Sequence, residues 1–242
     1  MNKSEDILIH PQRGKNEKEI PDIGILFVNP AESKHAMQLV LDTGGKKQFL
    51  FHSELVVSKE KDFFVAGPSV GAPMAVMTME KLIVLGAKSV ILYGWCGAVS
   101  PAFKVGDLLL GGTAHCGEGT SRYYINKDTC EPSAVLVNDL LASFDVSSAA
   151  SPVWTTDAVY RESRRMLEQL ADKYAVCGVD MEYSALCAVA AFRGIDFAGL
   201  FLVSDELWQK EWRAGFAGKK FKQKSKEIIQ LLIENIPSFA AV

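Results

Sequence analysis

Short, strongly apolar segments alternate with longer helical patterns along most of this sequence. The apolar segments that have the length of a buried strand are residues 23–28, 89–93 and 197–203. The helical patterns cover residues 31–41, 71–85, 161–174, 181–193 and 219–236. Strands that are apolar on both sides need helices on both faces of their sheet. The sequence therefore predicts an α/β fold, in which a mixed central β-sheet is flanked by helices on both faces.

Weaker patterns complete the predicted domain. Residues 48–57, 63–66 and 107–110 are further predicted strands, and residues 94–97 (Gly-Trp-Cys-Gly) a predicted turn. Residues 1–20 are polar and are predicted to form an N-terminal arm. Residues 21–242 then form a single α/β domain, because no repeat or linker interrupts them.

Charge and cysteine content exclude several classes of protein. The 242 residues carry 26 basic and 29 acidic side chains, so a nucleic-acid partner is not expected. The longest uncharged apolar run, residues 183–192, is too short to span a bilayer, so no membrane partner is expected. The first residues lack the apolar core of a signal peptide, and the five cysteines form no CxxC pair. We expect a cytoplasmic protein with reduced thiols, no metal site and no organic cofactor.

Three polar segments follow predicted strands or open a predicted helix, where open α/β sheets bind ligands. They are residues 94–97, 180–182 and 204–205. Asp205 ends an apolar run, and partial desolvation would suit this acid to donate a proton near neutrality. The same position suits the N-cap of a following helix, so both interpretations stay open. Glu182 is similarly either a helix-favouring first-turn acid or an acceptor for a diol such as a ribose.

Longer motifs around these residues resemble a known family. The sequence VDMEYSALCAVAAFRGI, followed after a short strand by VSDEL, is similar to the signature of the nucleoside phosphorylase superfamily. Supporting matches are GPSVGAPMA, VILYGWCGAV, EGTSRYY and TTDAVYRE, so the resemblance covers nearly the whole chain. The superfamily includes purine nucleoside phosphorylases, uridine phosphorylases and methylthioadenosine/S-adenosylhomocysteine nucleosidases.

The resemblance implies roles for individual residues. Met181 and Glu182 match the pair that binds the ribose. Asp205, which follows Ser204, matches the acid that serves the purine N7 as the base leaves, and it favours a purine because uridine phosphorylases lack this acid. The superfamily's other substrate-binding positions correspond here to Trp95, Cys96, Gly97, Val159, Tyr160 and His10. His10 resembles a histidine that reaches a neighbouring subunit's 5′-hydroxyl, so a homo-oligomer, either dimer or hexamer, is expected.

The sequence departs from the superfamily's phosphorylases on the phosphate side. Glu32 and Leu92 stand where those enzymes have phosphate-binding arginines, and the bulky Trp95 replaces a small hydroxyl residue. By position, Glu32 also resembles the glutamate that orients the attacking water in the nucleosidases, although a solvated first-turn acid would look the same. We therefore expect hydrolysis of a purine nucleoside, with Asp205 and Glu32 as catalytic residues.

Other functions remain alternatives. A phosphorylase could hold inorganic phosphate through the backbone amides of Gly71 and Gly97, or through Ser69 or Arg122. A nucleoside-binding protein with little catalysis would retain the same pocket. The segment that follows Asp205 is predicted to form either a lid over the base or an oligomer contact. Its Trp208 and Trp212, four residues apart, are predicted to share a helical face, which favours packing or an interface over catalysis.

Overall fold

The predicted alternation of strands and helices is present in the computed structural model, which describes residues 6–146 and 149–239. Its strands are β1 (Ile23–Phe27), β2 (Lys46–Gln48), β3 (Glu54–Val57), β4 (Phe64–Gly67), β5 (Ser89–Ala98), β6 (Leu108–Cys116), β7 (Thr129–Cys130), β8 (Ser151–Thr155), β9 (Gly178–Asp180), β10 (Asp196–Glu206) and β11 (Arg213–Ala214). Its α-helices are α1 (Pro30–Asp42), α2 (Ala72–Leu85), α3 (Ala134–Ser143), α4 (Arg164–Tyr174), α5 (Tyr183–Arg193) and α6 (Lys219–Asn235).

The strands form one mixed sheet. Their order is β11-β10-β6-β8-β9-β5-β1-β4-β3-β2, with β7 paired to β6. Because β10 also pairs with β5, the strands β5, β10, β6, β8 and β9 close into a ring. β1, β5 and β10 run parallel to one another, so their carboxyl ends lie at the same edge of the sheet.

Helices cover both faces of this sheet, as predicted. Successive residues of β1 point to opposite faces of the sheet: Leu26 packs in one core cluster, while Ile25 and Phe27 pack in the other. The first cluster takes apolar residues from α2 and α5, and the second takes them from α1, α3 and α6. The eight residues from Tyr183 to Ala190 are all buried, which explains the nearly uniform apolar character of α5.

Two predicted segments of the sheet differ from the structure. Residues 48–57 are not one strand, because they contain the last residue of β2, a connection over residues 49–53 and the whole of β3, which is antiparallel to β2. The predicted turn at residues 94–97 is wrong, because β5 runs straight through it. A Cβ at Gly94 would lie 2.8 Å from Val28 Cγ2, and one at Gly97 would lie 2.7 Å from Leu207 Cδ1. These glycines therefore allow close packing inside a strand.

The segment after β10 is also different from its prediction. Asp205 belongs to β10 itself, so the N-cap interpretation is wrong. Trp208 and Trp212 do not share a helical face, since the chain turns back and forms β11 antiparallel to β10. The indole of Trp208 donates to the carbonyl of Phe103 at 3.1 Å, whereas Trp212 reaches Asp205.

Residues 6–19 are mostly exposed and are tied to α2. Lys81 of α2 contacts Glu17 at 2.5 Å and the carbonyl of Gln12 at 2.6 Å. Ile20 is buried and donates its backbone N–H to the carbonyl of Leu85. Within residues 6–146 and 149–239, every helix is too short or too polar to cross a bilayer.

Candidate active site

A cleft opens at the sheet edge where β1, β5 and β10 end. Its volume is about 180 Å³. The predicted residues that line it are Trp95, Cys96, Gly97, Val159, Met181, Glu182, Ser204 and Asp205. Positions far apart in the sequence thus meet at one place, because parallel strands bring their carboxyl ends together.

Asp205 is held at one side of this cleft by two hydrogen bonds. Ser204 Oγ lies 2.6 Å from Asp205 Oδ1, and Trp212 Nε1 donates to Asp205 Oδ2 at 2.8 Å. The pairing of β10 with β5 shifts register between Val203 and Asp205. Such a bulge re-aims side chains next to it, which explains how an acid inside a strand faces the cleft.

Asp180 and Glu182 form the junction between β9 and α5. Asp180 Oδ2 accepts the backbone N–H groups of Glu182 at 2.9 Å and Tyr183 at 2.6 Å, while Oδ1 accepts Thr155 Oγ1 at 2.6 Å. Asp180 is therefore saturated by the fold and caps the start of α5. Glu182 precedes the helix, so the predicted first-turn position is off by one residue.

Glu182 faces the cleft with one oxygen fixed. Its Oε1 accepts the backbone N–H of Gly71 at 2.6 Å. Burial, followed by the charge of Asp180, raises the pKa of Glu182, and burial also raises the pKa of Asp180. Glu182 thus presents its carboxyl group to a ligand in a nearly dry part of the cleft.

Polar atoms without partners mark another wall of the cleft, formed by Asn29 and Trp95. Among the described residues, Asn29 Oδ1, Trp95 Nε1 and Glu32 Oε2 are buried and lack hydrogen bonds. The Trp95 indole stacks on Phe216 with ring centroids 5.8 Å apart. The other Glu32 oxygen accepts Ser225 Oγ of α6 at 3.2 Å. Buried polar atoms of this kind normally bind a ligand or an ordered water.

The carboxyl groups that line the cleft have no basic side chain beside them in the lining. Its ionisable acids are Glu162, Asp180, Glu182 and Asp205, and none of its lining residues is lysine, arginine or histidine. Burial, followed by the charge of Asp205, raises the pKa of Glu162 to about 7. The described cleft is therefore better suited to a neutral ligand than to an anion.

Several predicted site residues lie outside the cleft lining. Glu32 is buried behind the start of α1, where burial raises its pKa and where it lies close enough to Trp95 to interact with it. Leu92 is fully buried in the core, because it points to the α2 and α5 face of β5. Ser69 is fully buried and hydrogen-bonds Thr78 at 2.8 Å. Leu92 and Ser69 thus make no direct contact in the cleft, whereas Glu32 lies behind its Trp95 wall.

The remaining predicted residues either lie at the surface or contact another residue of the site. Gly71 contributes its N–H to Glu182, as described above. Tyr160 is 97% exposed and lines a larger groove, of about 470 Å³, that adjoins the cleft. His10 and Arg122 are exposed and do not line the cleft. The Cys96 thiol lines the cleft, but burial raises its pKa well above the ordinary value, which fits packing and not nucleophilic attack.

Sequence reasoning assigned no chemical role to two polar side chains of the site, Glu162 and Trp212. Trp212 stood out as an aromatic residue, but only the antiparallel return of β11 brings it to Asp205. Glu162 follows a short 3₁₀ turn, where no periodicity shows which way a side chain points. Both side chains reach the site through the tertiary fold, which local sequence patterns do not predict.

Comparison with known proteins identifies the family. Residues 22–236 match the sequence model described as "Phosphorylase superfamily". The chain belongs to this superfamily. It is an enzyme of the group of nucleoside phosphorylases and nucleosidases, which cleave N-ribosyl bonds. The resemblance predicted from the sequence is confirmed.

Individual members of the superfamily are similar to this chain at different levels. A DeoD-type purine nucleoside phosphorylase of Bacillus cereus is 32% identical over 161 residues, or 63% of this chain and 67% of that protein. Purine nucleoside phosphorylase of Toxoplasma gondii in complex with immucillin-H has 19% identity and a TM-score of 0.79, covering 98% of both chains. The 5′-methylthioadenosine/S-adenosyl homocysteine nucleosidase of Campylobacter jejuni has 16% identity and a TM-score of 0.74, covering 92% of this chain and 99% of that one. The same fold thus occurs in both phosphorylases and nucleosidases.

Proposed function

We propose that this enzyme cleaves the N-glycosidic bond of a purine nucleoside and transfers the sugar to water. The observation that carries this proposal is the charge of the cleft, which has four acids and no cationic lining residue. A carboxylate about 4 Å from a phosphate oxygen costs on the order of 4 kcal/mol per unit charge at an effective dielectric of about 20. Without an arginine to offset this cost, water is the favoured nucleophile.

The acids suit the two charges that develop during cleavage. Breaking the C–N bond leaves negative charge on the departing base and oxocarbenium character on the sugar. Asp205 serves the base as hydrogen-bond donor or general acid. Glu182, fixed by Gly71, holds the sugar hydroxyls, and its ionised form favours the positive charge. Met181 packs against the sugar next to it.

The unpartnered atoms at the Asn29–Trp95 wall support a site for the attacking water. Trp95 Nε1 offers one donor, and Asn29 Oδ1 and Glu32 Oε2 offer two acceptors. One water molecule that accepts one hydrogen bond and donates two would match this set of one donor and two acceptors. Burial raises the pKa of Glu32 above its ordinary value, which makes its carboxylate a stronger general base.

Phosphorolysis is the second candidate, and the phosphorylase name of the 32% identical relative favours it. Phosphate would then need the Gly97 amide or a cation from a second copy of the chain, because Gly71 N–H is already engaged by Glu182. We expect a homo-oligomer, dimer or hexamer, and light scattering measures the number of subunits. A nucleoside-binding protein without catalysis is disfavoured, since binding alone does not need an acid at the base.

The test is a product assay with purified protein. Adenosine, inosine, guanosine, methylthioadenosine and uridine are each incubated with and without phosphate, and free base, free sugar and sugar 1-phosphate are quantified separately. Purine base plus free sugar in phosphate-free buffer is the expected result. Base release only with phosphate, with sugar 1-phosphate as product, would establish the second candidate. Tight nucleoside binding without any base release would establish a binding protein.

A further inference from the structure

Glu162 is a charged group of the cleft to which the proposed mechanism gives no role. It ends the short 3₁₀ turn over Val159–Arg161 and precedes α4. Its side chain lines both the cleft and the adjoining groove, as does that of Asp205. No other described residue donates a hydrogen bond to its carboxyl in the structure. A half-buried acid in this position is therefore free to contact a ligand.

The other polar groups near Asp205 are already engaged. Ser204 Oγ lies within hydrogen-bond distance of Cys96 O and Asp205 Oδ1, and Trp212 Nε1 donates to Asp205 Oδ2. In the groove, Arg164 donates to the carbonyls of Gln209 and Lys210 at 2.7 and 2.8 Å. Glu162 thus supplies the unengaged acceptor oxygens at this end of the cleft.

Two adjacent carboxyls match the edges of different purines unequally. On its N7 edge, adenine presents the N7 acceptor and an exocyclic amino donor, whereas guanine presents two acceptors, N7 and O6. Hypoxanthine carries the same two acceptors as guanine. A protonated acid together with a carboxylate therefore matches adenine. A 6-oxopurine would need both acids protonated.

We propose that Glu162 contacts the purine next to Asp205 and selects a base with a 6-amino group over a base with a 6-oxo group. The inference rests on the proposed function, because it places the purine N7 at Asp205. Burial, followed by the negative charge of Asp205, raises the pKa of Glu162 to about 7, as expected for two carboxyl groups that face one cavity. The substrate class is then an adenine nucleoside.

The first test compares Glu162→Gln with the control Glu168→Gln, which changes an exposed acid of α4 in the same way. A glutamine amide both donates and accepts, so it matches amino and oxo groups about equally. We expect wild type and Glu168→Gln to prefer adenosine over inosine in kcat/KM. Glu162→Gln should lower that ratio by about 10- to 100-fold, the range expected for one charge-assisted hydrogen bond. An unchanged ratio would overturn the proposal.

A second measurement needs no turnover. Calorimetric titration with free adenine and hypoxanthine should show tighter binding of adenine to wild type and loss of this preference in Glu162→Gln. Equal binding of both bases to wild type would overturn the role of Glu162. A wild type that prefers adenine but cleaves no nucleoside would contradict the proposed function while supporting base selection by Glu162.

A third measurement uses wild type alone. The charged side chains that share the two cavities with Glu162 are Asp180, Glu182, Arg164 and Asp205. Protonation of Glu162 removes its preference for an N–H donor, so the adenine-to-hypoxanthine affinity ratio should fall as pH decreases through about 7. A ratio that stays constant from about pH 6 to about pH 8 would overturn the proposal.

Discussion

The backbone N–H of Gly71 donates a 2.6 Å hydrogen bond to Oε1 of Glu182, across 111 positions of the sequence. Gly71 precedes the first turn of α2 with φ at 85°, a conformation that glycine adopts without strain. The bond places the Glu182 carboxyl at the N-terminus of α2, where the helix dipole favours the negatively charged form. The same carboxyl is buried, and burial disfavours the charged form. Burial prevails, and the pKa of Glu182 is raised.

This balance predicts how stability depends on pH. An acid whose pKa is higher in the folded than in the unfolded chain contributes most below its ordinary value of 4.5, and stability falls as pH rises towards the folded value. The melting temperature of wild type should therefore decrease from about pH 6 to about pH 9, and Glu182→Gln should reduce this decrease. Differential scanning calorimetry across that range measures it. Equal pH dependence in both proteins would contradict the assignment of the raised pKa to Glu182.

Asp205→Asn should lower kcat strongly while nucleoside affinity is retained. Asparagine keeps the size and polarity of the side chain but removes its ability to transfer a proton, which is worth about 10²- to 10⁴-fold. Steady-state kinetics together with calorimetric binding measure the two effects separately. Asp172→Asn, which changes an exposed residue of α4, is the control. Unchanged turnover in Asp205→Asn would remove Asp205 from the mechanism.

Trp212→Phe should reduce kcat by about tenfold, because it removes the N–H that orients Asp205 while keeping an aromatic ring. Trp208→Phe is the matched control, since its N–H bonds the Phe103 carbonyl instead. The control should lose stability without a comparable loss of kcat. If both variants lost kcat equally, the hydrogen bond to Asp205 would have no specific role.

Glu32→Gln should lower hydrolysis by about 10²-fold or more, because it removes the carboxylate that activates the water. Trp95→Phe should cause a smaller loss, since it removes one donor to the same water but leaves the base. The assay is release of free sugar in phosphate-free buffer. Glu60→Gln, which makes the same change at an exposed turn, is the control. Full hydrolysis by Glu32→Gln would show that water is activated elsewhere.

The fold class was predictable because buried strands and helices each require a characteristic spacing of apolar residues, which is visible in the local sequence. The strand 23–28, the helix that Gly86 ends and the buried helix after Glu182 all lie within about two residues of their predicted bounds. The central strand was predicted too short, because Gly94 and Gly97 indicate a turn in isolation. Only their contacts with Val28 and Leu207 show that they permit close packing.

The site was predictable where its residues end strands or open a helix, as Asp205 and Glu182 do. It was not predictable where position depends on tertiary contacts. The resemblance singled out Glu32 as the residue that orients the water, but it did not predict its surroundings. The packing of α1 against α6 places Glu32 behind Trp95 and against Ser225. Glu162 reaches the cleft only because the turn after β8 lies beside β10.

The most direct test of the central claim is the initial rate of purine release as a function of phosphate concentration, starting from phosphate-free buffer. A cleft without cationic lining residues predicts a rate that does not change with phosphate, and free sugar as the product at every concentration. A rate that is near zero without phosphate and rises to saturation, with sugar 1-phosphate as the product, would contradict it.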